Sequence, residues 1–216
     1  MSDKPIIFND AMVRAILDGR KTQTRRAMKP MSKRTGGAYT GWVLTEWRSD
    51  CPYGRPGDLL WVREAWCPVV DPWTGGAAAG IGHRSDMDFH AITDPVGKFQ
   101  DGWTCFNWEK PDAWKFRPSI HMPRWASRIT LEITDVRVER LQDITESDAA
   151  AEGCDNSDTE AARECGWYKK PRRAFRRVWE QINGSGAWDQ NPWVWVIEFR
   201  PHLINIDQFL SQRGVA

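Results

Sequence analysis

The chain of 216 residues has no long apolar run and almost no net charge. No stretch is long enough to span a bilayer, and the polar start Met-Ser-Asp-Lys lacks the apolar core of a signal peptide. We therefore expect a cytoplasmic protein without a membrane partner. Lys and Arg number 30 and Asp and Glu 29, which gives a net charge of +1. Any affinity for a polyanion would have to come from local clusters.

The sequence also lacks a sign of disulfide bonds: its 5 cysteines are odd in number and form no C-x-x-C motif. This indicates reduced thiols in a reducing compartment. No spacing supports a zinc site that combines cysteines with His83, His90 or His121. We attribute the Asp86, Asp88 and His90 pattern to chance, and we predict no metal and no other cofactor.

Tyrosine is scarce, with 3 residues, whereas tryptophan is abundant, with 14. Buried tryptophan supplies a large apolar area, and exposed tryptophan offers a flat face on which a nucleobase can stack. We expect most of these tryptophans to be buried.

The predicted elements follow the order helix, strand, strand, insertion, strand, helices and strand, with no internal repeat or linker. Residues 67–124 are rich in Gly, Pro, Trp and Asp without a sustained period, which predicts an irregular functional insertion. The pattern favours an α+β domain over residues 1–200, built as a small β-barrel with flanking helices, and a tail over 201–216. The predicted strands cover 22–26, 59–66, 128–138 and 193–199, and the predicted helices cover 10–18, 145–152 and 171–183.

The segment 19–26, Gly-Arg-Lys-Thr-Gln-Thr-Arg-Arg, carries four cations around two hydroxyls where a helix gives way to a strand. It is not a P-loop, because the adjacent Gly-Lys is missing and Arg14 stands where the upstream glycine should be. Three interpretations stay open: an anion site, a catalytic site and a solvated basic strand.

Three segments together resemble the ASCH superfamily. They are Leu17-Asp-Gly-Arg-Lys-Thr-Gln-Thr-Arg-Arg26, then Pro56-Gly-Asp-Leu-Leu-Trp-Val62, and the strand 128–138 with the helix around Glu152. The longer pattern Trp114, Pro118, Met122, Pro123 and Trp125 resembles ASCH-domain proteins common in phages and prophages. The resemblance implies a PUA-like β-barrel whose cleft binds RNA or nucleosides.

The cleft motif is similar to that of the small bacterial N(4)-acetylcytidine amidohydrolases. By that resemblance Lys21 is the proton acceptor, Thr24 the nucleophile and Glu152 the proton donor. The chemistry is consistent with the residues, since Thr24 needs a base and Lys21 serves only when neutral, a state that nearby arginines favour. In a regular strand Lys21 and Thr24 would face opposite sides, so sharing one cleft requires a turn after Lys21.

The chain departs from that branch in three ways. It is longer, with a loop after Arg26 and the insertion 67–124; Arg25-Arg26-Ala27 makes the cleft more basic; and the insertion could cover the pocket. Three hypotheses follow: an amidohydrolase, a non-catalytic nucleic-acid-binding module and a metal-independent ribonuclease. We expect RNA or a modified nucleoside as partner and leave DNA open. The predicted binding residues are Arg20, Thr22, Arg25, Arg26, Arg63, Glu64, Arg124, Trp125 and Arg128.

A second basic cluster opens the helix that starts at Pro171. Its default interpretation is a solvated face. Cations at a helix N-terminus oppose the helix dipole, however, and this makes phosphate binding more attractive. The cluster consists of Lys169, Lys170, Arg172, Arg173, Arg176 and Arg177.

Overall fold

The computed structural model describes residues 2–28, 51–70, 79–91, 115–154 and 170–214. The predicted insertion therefore lies partly outside the described residues, and Trp114 of the longer motif lies wholly outside them. Within these ranges none of the helices is long and apolar enough to cross a membrane.

The described elements mix strands with short helices, as the predicted α+β class requires. The strands are β1 (Asp3–Ile7), β2 (Gln23–Ala27), β3 (Leu59–Arg63), β4 (Trp66–Val70), β5 (Ala79–His83), β6 (Asp88–Ala91), β7 (Thr130–Arg140) and β8 (Trp193–His202). The helices are α1 (Asp10–Leu17), α2 (Glu146–Ala151), α3 (Pro171–Asn183) and α4 (Ile206–Gln212).

Five strands form a sheet in the order β1-β3-β7-β8-β2, and β2 pairs antiparallel with β8. Among the described strands this sheet has two edges, β1 and β2, so it is open rather than a closed barrel. The predicted strand 59–66 ends earlier than expected, because the chain leaves β3 at Arg63 and starts β4 at Trp66.

The chain divides into two compact units, each built from three separated segments. Unit 1 comprises Met1–Lys4, Ala15–Leu60 and Leu131–His202, and unit 2 comprises Pro5–Arg14, Trp61–Thr130 and Leu203–Ala216. The predicted tail 201–216 contains the end of β8 and the helix α4.

Unit 1 has a core between β8 and the helices α2 and α3. Phe175 and Trp179 of α3 pack with Trp188, and burying side chains of this size contributes ~2–3 kcal/mol each. The remaining members are Leu141, Ile144, Ala149, Ala187, Val194 and Val196. The expected burial of tryptophan is confirmed for Trp61, Trp66, Trp179, Trp188 and Trp195.

The helices of unit 1 begin and end at the predicted signals. Thr145 caps α2 in a capping box with Asp148, each side chain bonding the other residue's backbone N–H. Pro171 occupies the first turn of α3, and Gly184 follows that helix with φ 98°. These local signals fix where each helix starts and stops.

Unit 2 contains a three-stranded antiparallel sheet in the order β4-β5-β6. Its core includes Trp66, Ile81, Met122 and Ala126. The prediction of irregular structure over residues 67–124 was therefore wrong for the strand residues 67–70, 79–83 and 88–91. The strands are short, and the Ala-Gly-Ile-Gly-His sequence of β5 has the glycines that normally indicate a loop.

Candidate functional site

Alternation along β2 separates the residues of the basic segment. Gln23 stands opposite Glu198 of β8, Thr24 opposite Ile197 and Arg25 opposite Val196. Because successive side chains point to opposite faces, Gln23 and Arg25 share the face covered by α2, and Thr24 lies on the other.

Lys21 precedes β2 and is held by the end of α1. Its backbone N–H donates to the carbonyl of Ala15 (2.9 Å), and it forms an isolated antiparallel bridge with Glu152. Gly153, with φ 82°, allows this close approach, since a Cβ there would lie 2.7 Å from the Cβ of Ala15 and 3.2 Å from that of Lys21. The turn after α1 thus brings Lys21 against the residue that caps α2.

The Lys21 ammonium is fully buried and uses all three of its N–H donors. Its Nζ donates to the Glu152 carboxylate Oε2 (2.8 Å), the Glu152 carbonyl (2.9 Å) and the Gln23 carbonyl (2.8 Å). A buried ion pair is tolerated when such additional hydrogen bonds satisfy the charges. The structure therefore joins Lys21 and Glu152, two members of the predicted catalytic set.

Arg25 continues this pair into a network. Its side chain has no exposed surface, and its Nη2 lies 3.0 Å from Glu139 Oε2 and 3.3 Å from Asp148 Oδ2. Its Nη1 lies 3.6 Å from Glu152 Oε1, an ion pair that is too long for a hydrogen bond. We call Lys21, Gln23, Arg25 and Glu152 the buried polar cluster.

Arg137 of β7 extends the network through ion pairs with carboxylates. It pairs with Glu139 (2.5 Å), Asp148 (3.2 Å) and Glu198. Burial alone would raise the pKa of Asp148, but hydrogen bonds from Thr145 and the charges of Arg25 and Arg137 lower it. The Asp148 carboxylate is therefore held in its charged form.

Several buried polar atoms of this cluster have no hydrogen-bond partner among the described residues. They are Glu152 Oε1, Gln23 Nε2, and Nε and Nη1 of Arg25. Buried polar groups are almost always satisfied, and a missing partner costs ~1–3 kcal/mol. One acceptor atom and three donor atoms of the cluster are thus buried without a hydrogen bond among the described residues.

The other predicted residues of the segment 20–26 lie around this cluster. Arg20 is exposed, pairs with Asp18 (2.8 Å) and donates to the Gly153 carbonyl (3.2 Å). Thr22 is exposed, and Arg26 is half-buried, with burial lowering the pKa of its guanidinium. Thr24 is buried, on the face of β2 opposite Arg25.

Five predicted binding residues belong to unit 2 and have contacts of their own there. Arg63 lies over the ring of Trp61 (5.5 Å to the centroid) and donates to the carbonyl of Ile120. Arg124 pairs with Asp207 of α4 (2.9 Å), and Trp125 packs edge-on against Trp66. The two remaining residues, Glu64 and Arg128, bind each other.

Glu64 and Arg128 are the centre of a second buried charged group, the Glu64 cluster, with His83, Ser85 and Asp86. The Glu64 carboxylate accepts from Arg128 Nε (2.9 Å) and Ser85 Oγ (2.6 Å), and lies 3.2 Å from His83 Nδ1. Arg128 also pairs with Asp86 (2.7 Å). Burial opposes ionisation, but the hydrogen bonds and charges of His83 and Arg128 lower the pKa of Glu64 to about 2. Burial lowers the pKa of His83.

Several members of both networks were not predicted from the sequence. Gln23 could have been found from strand alternation, which places it beside Arg25, and Asp148 from its role in the capping box. No local signal pairs His83 with Glu64. The other missed members are Arg137, Glu139, Glu198, Ser85 and Asp86 as an ion-pair partner.

No group of three or more metal-ligating side chains occurs in the part of the chain that the structure describes. Three cysteines in that part, Cys51, Cys67 and Cys154, are free thiols. Burial, with the neighbouring Glu152 carboxylate, raises the pKa of Cys154 to about 12, so this thiol stays protonated at neutral pH.

Comparison of the chain with protein-family models, curated proteins and solved structures finds no match.

Proposed function

We propose that this chain is an ASCH-type protein that binds a nucleoside, free or within RNA, at the buried polar cluster of unit 1. The observation that carries the proposal is the Lys21–Glu152 pair with unpartnered donor and acceptor atoms beside it. In this proposal the open five-stranded sheet and its helices are the PUA-like part of the chain.

The chemistry of the cluster suits the edge of a nucleobase. Carboxylates accept from exocyclic amino groups, and amides and guanidinium groups donate to ring nitrogens and carbonyls. Glu152 Oε1 supplies the acceptor, and Gln23 Nε2 and Arg25 Nη1 supply the donors. Cytosine presents one donor and two acceptors on its pairing edge, and cytidine is the nucleoside that the family resemblance implies.

The sharpest test of binding is the substitution Gln23→Leu. We expect it to weaken the binding of cytidine or N(4)-acetylcytidine at least ~10-fold, about 1.4 kcal/mol, because a donor to the base is lost. The free energy of unfolding should change by no more than ~1 kcal/mol, because Nε2 of Gln23 is unsatisfied among the described residues and its Oε1 accepts only one long hydrogen bond there, from Arg137 Nη2 (3.4 Å). Titration calorimetry and urea unfolding measure the two quantities.

The control for this substitution is Gln181→Leu on the exposed side of α3, which should leave nucleoside affinity unchanged. Uridine serves as the comparison ligand for base preference. Gln23→Leu protein that is less stable but binds with full affinity would show that Gln23 is structural. No binding of any nucleoside by the wild-type protein would refute the proposal.

A second candidate function is hydrolysis of N(4)-acetylcytidine to cytidine and acetate, favoured by the Lys21–Glu152 contact. The ammonium must lose a proton to act as a base, and the 2.8 Å bond to Glu152 Oε2 offers a direct route for that proton. Both groups would then be neutral, which removes the cost of keeping two charges buried. Glu152 would afterwards return the proton to the leaving nitrogen.

Thr24 fits this candidate less directly, because it lies on the opposite face of β2 from Arg25. We propose that neutral Lys21 takes a proton from a water molecule as its oxygen attacks the acetyl carbonyl carbon, and that the C–N bond breaks as Glu152 protonates the leaving nitrogen, so that Thr24 is not required. Lys21→Met and Glu152→Gln should each abolish release of acetate, whereas Thr24→Val should retain it.

Chromatography of the reaction products decides among the candidates. Loss of hydrolysis in Thr24→Val protein that still binds cytidine would assign the nucleophile to Thr24. Binding without hydrolysis in the wild-type protein would leave a binding module. Cleavage of single-stranded RNA that Lys21→Met abolishes would instead indicate a ribonuclease.

A further inference from the structure

Helix α3 carries four arginines on one side, Arg172, Arg173, Arg176 and Arg177, and all four are exposed. They form two i,i+4 rows, Arg172 with Arg176 and Arg173 with Arg177, and we call them the arginine face. Phe175 and Trp179 of the same helix point the other way, into the core of unit 1.

The arginine face is electrostatically unfavourable for the helix that bears it. Like charges at i,i+4 repel each other, and cations in the first turn oppose the helix dipole. No acidic residue of α3 itself lies in its first turn, and its N-cap, Lys170, makes no side-chain capping hydrogen bond. The carboxylate that binds this end of the helix, at the Arg172 backbone N–H, is Glu146 of α2. A role in stabilising the helix does not explain this arrangement.

Carboxylates neutralise only part of the arginine face. Arg176 lies 3.5 Å from Glu180 and 3.4 Å from Asp189. Arg172 donates to the carbonyl of Gln142 (2.6 Å), which leaves its charge in place. Arg173 has no carboxylate partner among the described residues.

Two of the four guanidinium groups are held in position by an aromatic ring. The Cζ atoms of Arg172 and Arg176 lie 5.8 and 5.9 Å from the ring centroid of Trp188. Trp188 is itself buried, so it is a fixed support. A guanidinium ordered in this way loses less entropy when it binds a phosphate with two hydrogen bonds.

The arginine face is attached to the helix that covers the buried polar cluster. The backbone N–H of Arg172 donates to the Glu146 carboxylate at the start of α2 (2.9 Å), and Glu152 follows the end of that helix. Six residues of helix span roughly 9 Å. Both features belong to unit 1.

We propose that the arginine face binds the phosphate backbone of an RNA strand whose base enters the buried polar cluster. This inference rests on the proposed function and adds that the ligand is a base within a polynucleotide. An anionic membrane fits less well, because the apolar side of α3 is packed in the core and cannot insert into lipid.

The test compares two double substitutions that remove the same charge. Arg173→Gln/Arg177→Gln leaves the contacts with Trp188 intact, and Arg55→Gln/Arg200→Gln removes two exposed arginines elsewhere in unit 1. The probe is a fluorescent 12-nucleotide single-stranded RNA containing cytidines. Its dissociation constant is measured by anisotropy between 50 and 300 mM KCl.

We expect the Arg173/Arg177 variant to bind RNA at least ~10-fold more weakly at 100 mM KCl. Its slope of log K against log salt should fall by about 1.4, since each lost phosphate contact on a single strand removes roughly 0.7. Its affinity for free cytidine should not change. The Arg55/Arg200 variant should match the wild-type protein in all three quantities.

Three results would overturn the proposal: wild-type RNA affinity in the Arg173/Arg177 variant, an equal loss in the control variant, and stronger retention on phosphatidylserine vesicles than on RNA. A different result would show that the proposed function, rather than this inference, is wrong. The wild-type protein would then bind no cytidine, while RNA binding still depended on Arg173 and Arg177.

Discussion

At the scale of single residues, Gly153 controls the distance between two parts of unit 1. It lies between Ala15 and Lys21 with φ 82°, and the Cβ of any other residue would stand 2.7 Å from the Cβ of Ala15. Neither partner atom can move as the end of a flexible side chain does. We infer that this glycine is required for Lys21 to reach Glu152.

The substitution Gly153→Ala should lower the free energy of unfolding by ~3 kcal/mol, because backbone strain and a steric clash combine. It should also abolish nucleoside binding, since Lys21 and Glu152 are pushed apart. Gly186→Ala is the matched control, with φ 78° and no atom within 4 Å of its Cβ, and should cost only ~1 kcal/mol. Equal losses in urea unfolding would show that the contact with Ala15 is unimportant.

At the scale of elements, unit 2 buries a charged group where a core usually holds apolar side chains. Glu64 comes directly after β3, His83 ends β5, and Arg128 precedes β7. The carboxylate of Glu64 is therefore bound by residues from separate elements. Such a group links these elements only while Glu64 is ionised.

Acid should therefore weaken unit 2 in a defined range. Glu64 has its ordinary pKa of 4.5 in the unfolded chain and a pKa of about 2 in the folded protein. The unfolded state thus binds more protons, and ~3 kcal/mol of stability is lost as the pH falls from 4.5 to about 2. Because burial lowers the pKa of His83 from 6.5, the loss begins below that pH.

Urea unfolding between pH 2 and pH 8 measures this dependence. Glu64→Gln should be less stable at pH 7 by ~3 kcal/mol, since Arg128 loses its buried partner, and its dependence between pH 4.5 and 2 should be weaker but not absent, since carboxylates with a lowered pKa such as Asp148 remain. Asp143→Asn, at an exposed position, should keep the wild-type profile. An unchanged profile in Glu64→Gln would contradict the assigned cause.

At the scale of the whole molecule, the sequence was sufficient to predict where helices begin and end but not to predict how the chain divides into two units. Thr145, Pro171 and Gly184 act over one helical turn, so the ends of α2 and α3 were predictable. The units were not predictable, because each combines three distant segments and no linker separates them. The division between the units falls inside β1, α1, β3 and β7.

The candidate site, too, was only partly predictable from the sequence. The basic segment was visible as a cluster of charge, but Lys21 and Glu152 are 131 positions apart. No periodicity connects residues at that separation, and only the resemblance to a known family suggested the pair. Strand alternation alone places Thr24 on the opposite face from Gln23 and Arg25, but the sequence does not say which of the two faces α2 covers.

Several buried atoms of the buried polar cluster have no hydrogen-bond partner among the described residues, so a ligand that bonds to them would raise the free energy of unfolding. A molecule that supplies the missing hydrogen bonds binds only the folded chain, so at 100 times its dissociation constant it adds ~2.7 kcal/mol to stability. The melting temperature then reports the ligand directly, without an assay for turnover. A library of modified nucleosides can be ranked in this way, and the proposed function predicts the largest rise in melting temperature for the compound that satisfies most of these atoms.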